Sequence, residues 1–409
     1  MKIKSCVLFF ILLFSVNLYA SSPIFLKITK NFKEKADISI LFSQNKDNYW
    51  EKLVSVLGRD LEYSGYFSVN ESIFTDNISV AKKKYTTQIL LLGDKLSDGV
   101  KISIEDRLDE KLLFEKNYKK TKFPHILAHK ICNDIMLHLT GKPGIAESKI
   151  LFVSDSSGKY QIYQIDYDGD NLTKLTNSEF LVHYPKWLTP YKEILLISYK
   201  DGWPKLVKKN ILTGVETIIL AEPGLNACAS PCKKTEEMAV VLSKTGHPEI
   251  YITDFNGKIL KRVTYSKTTD ASPSLSPSGK MIAFVSDRQG TAQVYTMTRD
   301  GTKIKRISYV SGYSTSPSWS PDGTYIAYVF MKAGNFGIAI YDVSSGETKI
   351  VSETLGSEEI SWAPDSRHIV YSDIKRRPHT IMVIDILTGD RRRITSSKYN
   401  AFSPNWSPF

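Results

Sequence analysis

The sequence predicts an α/β N-terminal domain followed by an all-β six-bladed β-propeller closed by its C-terminal strand. Three observations carry this expectation. Turns of the Pro-Asp-Gly type recur at a constant interval from about residue 185 onward, a second set of turn glycines runs in phase with them, and helical periodicity is confined to the first third of the chain.

The 409 residues are enough for two domains with sizeable cores, and 42% hydrophobic with 24% charged content is that of a globular protein. Lys2 and Lys4 precede the apolar run Cys6–Phe14, and small residues follow at Ala20-Ser21-Ser22. A basic start, an apolar run too short to span a bilayer and small residues after it read as a secretory signal over residues 1–20, with cleavage between 20 and 22. A short membrane anchor is the competing reading, and no stop-transfer pattern follows to favour it. The mature chain would be exported and would keep Cys132, Cys228 and Cys232. An odd number rules out a full disulfide framework. Cys228 and Cys232 either pair locally or are two small residues of a degenerate strand, and their spacing lacks the second Cys/His pair of a zinc site.

Residues 23–142 read as a small α/β domain. Ile38, Ile40 and Phe42 alternate as in a half-buried strand, and Asp47 or Asn48 can cap a helix carrying Trp50, Leu53, Val54, Leu57 and Leu61 on one stripe. Gly65 ends it. Tyr66–Val69 and Tyr85–Leu92 are strand-like, and Val100–Ile104 with Lys111–Tyr118 resembles a hairpin. A last helix opens at Phe123-Pro124, carries Leu127, Ile131, Ile135 and Leu139, and stops at Gly141 before Pro143. Lys82-Lys83-Lys84 reads as a solvated charge run in a loop. His125 and His129 stand one helical turn apart, but no third ligand is evident, so packed or solvated histidines are expected and no metal is assigned.

Residues 148–409 form the repeat array. The best copy is Ser316–Val329 (SPSWSPDGTYIAYV), with equivalent prolines at Pro190, Pro277, Pro321, Pro364 and Pro408, separated by 87, 44, 43 and 44 residues. A degenerate copy therefore falls near Lys234, where Ala229-Ser230-Pro231 keeps part of the pattern. Turn glycines at Gly169, Gly214, Gly257, Gly301, Gly346 and Gly389 confirm the period. Four strand-like runs in each unit of 40–45 residues match a propeller blade. The last copy, Asn405-Trp406-Ser407-Pro408, halts where its second strand should begin, and Lys149–Ser154 looks like that missing strand. The C-terminal strand should thus complete the blade opened at residue 149 and remove an exposed edge.

The Pro-x-Trp-Ser-Pro-Asp-Gly turns, the run Ser286-Asp287-Arg288-Gln289-Gly290 before Gln293-Val294-Tyr295, and the terminal Asn405-Trp406-Ser407-Pro408 resemble the TolB family of the Tol–Pal envelope system. The order of parts adds to the likeness: signal, α/β domain, Gly-x-Pro-Gly connection at Gly141–Gly144, propeller. The departures are the eroded unit around Ala227–Glu237 and the repeat prolines missing at Ile360 and Lys234. The resemblance implies a non-enzymatic scaffold that acts as a monomer without cofactors. It would bind the lipoprotein Pal through the face of the channel mouth and TolA through the mature N-terminal segment, here Ser21, Ser22, Pro23, Ile24, Phe25, Leu26, Lys27 and Ile28. Other outer-membrane or peptidoglycan-associated proteins are further partners it allows. Contact with the membrane would be peripheral, through these partners, and the role would be outer-membrane integrity and envelope constriction at cell division.

Strand polarity sorts the loops. The Pro-Asp-Gly and Asn/Asp-Gly turns share one face, and Asp300, Asp322 and Asp365 are turn formers there. The other face carries varied residues suited to recognition: His183, Tyr184, Asn226, Asp270, Tyr313, Glu359, Tyr399 and Asn400 from one loop set, and Asp201, Trp203, His247, Arg288, Asn335 and Arg377 from the other. No G-x-S-x-G, Cys/His or H-E-x-x-H signature is present. A propeller enzyme of lyase or glycosidase type, using channel carboxylates, is the alternative. Arg391-Arg392-Arg393 lies in an outer strand with no aromatic platform on which bases could stack, and export also argues against nucleic acid.

Overall fold

The computed structural model describes residues 35–43, 47–356 and 359–408. The expected signal (1–20) and the segment Ser21–Ile28 lie outside the described residues.

The first domain is a five-stranded mixed sheet of order β2-β1-β3-β4-β5, with β1 Ala36–Ser43, β2 Phe67–Phe74, β3 Ile89–Leu96, β4 Gly99–Asp106 and β5 Lys111–Lys119. β1 runs parallel to both neighbours, and β3, β4 and β5 form an antiparallel meander. Helix α1 (Asn48–Tyr63) starts where Asp47 Oδ1 accepts from the N–H groups of Tyr49 (2.9 Å) and Trp50 (3.0 Å), satisfying two donors that the first turn leaves open. Helix α3 (Pro124–Thr140) ends at Gly141, whose φ of 68° a side chain would strain. Between them α2 (Ile78–Lys84) is a short helix capped by Asn77, where the sequence reading has a loop with a lysine run. Seven residues are too few to show a helical period, and three of them are lysines. α2 nevertheless packs Ala81 onto Leu41, Leu90 and Leu92, the sheet face opposite the one that α1 and α3 cover, and Lys82 pairs with Glu105 at 2.7 Å.

Six four-stranded antiparallel sheets follow. Blade 1 joins Ala401–Trp406 to Lys149–Ser154, Gln161–Asp166 and Thr173–Lys174. Blades 2 to 6 begin with inner strands Val182–Thr189, Asn226–Cys232, Asp270–Leu275, Tyr313–Trp319 and Ile360–Trp362. Their second strands are buried on both sides, as in Ile326–Phe330, because each blade is sandwiched between neighbours. The Ser320–Gly323 turn has Gly323 at φ 76°, and Asp322 Oδ1 accepts from Thr324 N–H at 3.0 Å. The expected closure is observed: Ala401 pairs with Ser154 and Trp406 with Ile150. Trp406 Nε1–H donates to Ser148 Oγ (2.7 Å), and Lys149 N–H donates to Ser407 Oγ (3.0 Å).

Five of the six inner strands share one irregularity. The ladder skips two residues, and the first of them has φ near +50°: Tyr184, Cys228, Ser272, Ser316 and Ser403. This is a bulge repeated around the channel. Beyond it, neighbouring blades are linked by a hydrogen bond. Trp187 N–H donates to Asn405 Oδ1 (2.8 Å), Leu275 N–H to Ser230 Oγ (3.0 Å), Trp319 N–H to Ser274 Oγ (3.0 Å) and Trp406 N–H to Ser361 Oγ (3.1 Å). Between blades 5 and 6 the Trp362 indole N–H donates to Ser318 O (2.8 Å).

The α/β domain sits on the turn face. Gly65 O accepts from Arg367, Lys142 pairs with Asp322, Lys35 with Asp390, and Tyr191 OH donates to Glu147 O, all through turn residues of the propeller.

Trp406→Ala is expected to cost about 3–5 kcal/mol, as for other buried tryptophans, whereas Asp47→Ala should cost about 1 kcal/mol through loss of a cap. Urea unfolding of the two variants checks this, and equal losses would contradict the closing role given to Trp406.

Candidate functional site

The residues picked from the irregular loops fall on the propeller face away from the α/β domain, and they divide into two groups. Trp203, Tyr184, Tyr313, Asp201, His247, Asn335 and Arg377 present side chains to solvent, with Trp203 69% exposed. Others are engaged within the loops. Asn226 is buried, its amide donating to the carbonyls of Pro204, Glu222 and Gly224 while its Oδ1 accepts from Glu222 N–H. Asp270 is buried against Arg288 (3.0 Å), whose guanidinium lies over Phe284 and Tyr295. Asn400 donates to Asp155 and accepts from His379 N–H, and Tyr399 packs edge-on to Tyr163. Asn226 and Asp270 are thus turned inward, while Arg288, Tyr399 and Asn400 are half-exposed.

The structure adds two aromatics that the loop reading missed. Tyr160 and Phe402 gather with His183 and Tyr184 at ring-centroid distances of 5.1–6.1 Å. Burial pushes the His183 imidazole below its ordinary pKa, which favours the neutral ring. Phe402 belongs to the closing strand and Tyr160 to the neighbouring loop, so no linear spacing links them to His183. The result is a partly exposed aromatic cluster where blades 1 and 2 meet.

The channel widens on the turn side into a cavity of about 1070 Å³, walled by Trp187, Trp319, Trp362 and Trp406 and by the repeat prolines. Its carboxylates are committed. For Asp322 burial acts to raise the pKa, but hydrogen bonds from Ser320 and Thr324 and the Lys142 charge hold it below the usual range. Asp365 behaves alike: burial opposes ionisation, and His368 with the N–H groups of Arg367 and His368 outweighs it. Deeper in, Glu359 lies close enough to Lys186 for their charges to interact.

A third cluster lies between the domains. Asp60 of α1 is 1% exposed, accepts from Tyr167 OH, and meets His129 Nδ1 at 2.7 Å. Asp168 pairs with Arg59 and lies 3.9 Å from His129 Nε2. Arg392 donates to Tyr167 O (2.7 Å) and stacks on Tyr63 and Tyr167. Arg367, paired with Asp385 at 2.6 Å, stacks on Tyr66. Asp60, His129 and Asp168 offer ligand atoms within 4.8 Å of one another. Arg59 already supplies the cation there and both Asp60 oxygens are spent on Tyr167 and His129, so the arrangement is an interdomain polar lock. His129 is packed, as expected, while its partners were hidden by sequence separations of 69 and 39 residues. Cys228 and Cys232 are free thiols. Among the described residues no helix is long and apolar enough to cross a membrane.

With this geometry in view, a family model described as "TolB beta propeller domain" matches residues 136–409. A protein TolB homolog of Chlorobium chlorochromatii is 32% identical over 199 residues, 47% of this chain and 45% of that protein. A Tol-Pal system protein TolB of Desulfosudis oleivorans is 29% identical over 228 residues, 52% of each. The chain thus spans about half the length of these curated relatives. The crystal structure of TolB from Acinetobacter baumannii superposes with a TM-score of 0.81 at 24% identity, covering 92% of this chain and 97% of that one, which shows a common fold.

The lock should make stability pH-dependent. Burial pulls the His129 pKa down, but the hydrogen bond to Asp60 and the charges of Asp60, Asp168 and Asp166 outweigh it and raise the value. A raised folded-state pKa contributes stability that is full below the unfolded value of about 6.5 and is lost as pH rises through the folded value. Urea midpoints between pH 5.5 and 8.5 should therefore fall with pH in the wild type and fall less in His129→Gln. Parallel curves would refute the lock.

Proposed function

The chain belongs to the TolB β-propeller family, and from that premise we propose that it is a non-enzymatic interaction scaffold of the Tol–Pal system in the periplasm. It binds Pal through the loop face at the channel mouth and TolA through the segment Ser21–Ile28, supporting outer-membrane integrity and envelope constriction at division. The observation that carries this reading is the aromatic cluster of Tyr160, His183, Tyr184 and Phe402. It lies with the exposed Trp203 on the face that the α/β domain leaves uncovered. Large, stiff aromatic side chains supply contact area at low entropic cost and dominate interface energetics. The irregular loops around them supply polar groups of varied reach, Asp201, His247, Asn335 and Arg377 among them.

The scaffold reading is favoured over a propeller enzyme by the state of the cavity carboxylates. Asp322 and Asp365 are held ionised by turn donors and by His368, not poised near neutrality as a general acid requires.

The Tyr184→Ala/Trp203→Ala double variant should bind purified Pal at least tenfold more weakly, a loss of about 1.4 kcal/mol or more. Leu212→Ala, on an exposed turn of the opposite face, should bind like the wild type. Titration calorimetry reads both, and unchanged affinity in the double variant would overturn the assignment of this face. Deleting Ser21–Ile28 should abolish capture by TolA while leaving Pal affinity intact. Retained TolA capture would remove the segment from the proposal.

A further inference from the structure

The hydrogen-bonded ring that links neighbouring inner strands is interrupted where blade 2 meets blade 3. At the other junctions a serine or asparagine of one blade accepts the next blade's N–H, or a backbone carbonyl accepts its indole. The register places Lys186 at the position held by Ser230, Ser274, Ser318, Ser361 and Asn405, and Pro231 at the position of the donating tryptophan. An ammonium cannot accept, and proline has no N–H to give. Both halves of the link are therefore replaced together, and what stands there instead is a positive charge on the wall of the cavity.

That cavity, about 1070 Å³, lies at the upper end of the range for small-ligand sites. Its wall sets Trp187, Trp319, Trp362 and Trp406 and the prolines of the repeat among the serines of the inner strands. The acids it contains, Asp322 and Asp365, are satisfied by turn donors, Lys142 and His368. Lys233 and Lys234 stand exposed beside it. Burial depresses the Lys186 pKa, and Glu359, the carboxylate that answers it, only partly offsets this. Lys186 is half-buried on the cavity lining, and an anion entering the cavity would add to the partial compensation that Glu359 gives its ammonium.

We propose that this turn-side cavity is a binding site for a small organic anion, a carboxylate on an apolar body. Lys186 receives the carboxylate and the tryptophan–proline wall receives the body. The site is separate from the loop face assigned to Pal and does not depend on that assignment.

Benzoate serves as the probe, with benzyl alcohol as its uncharged counterpart and inorganic phosphate as an anion without an apolar body. Because four tryptophans wall the cavity, intrinsic fluorescence of the full protein reads occupancy directly. Benzoate should give a saturable change, and benzyl alcohol and phosphate should bind at least tenfold more weakly. Lys186→Met, which keeps the apolar stem, should weaken benzoate at least tenfold, whereas Lys186→Arg should stay within a few-fold of the wild type. Absence of a saturable benzoate response, equal binding of either comparison compound, or undiminished binding in a folded Lys186→Met protein would overturn the proposal. The three-compound comparison on the wild type stands even if Lys186→Met does not fold.

Discussion

Six twisted sheets that share one axis crowd their inner strands together, and five of the six turn aside there. The bulge at Tyr184, Cys228, Ser272, Ser316 and Ser403 is how this chain meets that constraint. A left-handed conformation at a non-glycine residue costs roughly 1–3 kcal/mol, so it persists only where the surrounding ladder enforces it. The bulge also interrupts the run of paired residues, and just beyond it a side chain of one blade meets the N–H of the next. Blade 6, with Ile360 where the repeat has proline, pairs Ile360 straight to Tyr371 and uses the Trp362 indole for its link. Sequence departures from the repeat thus register as changes in the ring, and Lys186 is the largest of them.

The two faces of the ring are consequently unlike. Turn residues are stereotyped because Asp and Gly must adopt fixed conformations, and that regularity gives the α/β domain a defined seat. Arg367 reaches Gly65 O at 2.8 Å, and Arg392 lies over Tyr63 and Tyr167. The buried Arg367 is held by Asp385 as well as by Gly65 O and lies over Tyr66, an arrangement that fixes orientation more than it adds stability. The loop face is under no such demand, so its aromatic and charged residues vary from blade to blade.

Much of this architecture was legible in the chain. The period of the prolines and glycines gave the blade number, and the truncated final copy pointed to the strand it completes. Caps at Asp47 and Gly141 marked two helices. What stayed hidden has a common physical cause. The lock of Asp60, His129, Tyr167, Asp168 and Arg392 draws on helices and turns far apart in sequence, and each member alone looks like a surface residue. Asn226 and Asp270 read as partner-facing because polarity in a loop does not reveal whether the side chain turns inward. Tyr160 and Phe402 join His183 only once the ring has closed. α2 was obscured by its three lysines, whose charge says nothing of backbone conformation.

The place where the α/β domain is tethered has a mechanical consequence. The connection enters the propeller at Ser148, beside Trp406, and Ile150 faces Trp406 at that same end of an antiparallel pair. Tension arriving through the connection alone would peel the closing strand away one rung at a time, the weakest direction in which to load a sheet. The contacts of Arg367 with Gly65, Arg392 with Tyr63, Arg59 with Asp168, Lys142 with Asp322 and Lys35 with Asp390 bear on blades 1, 5 and 6 and run parallel to the connection. They divert force into several blades at once, so that the ring is strained as a whole before its seam is.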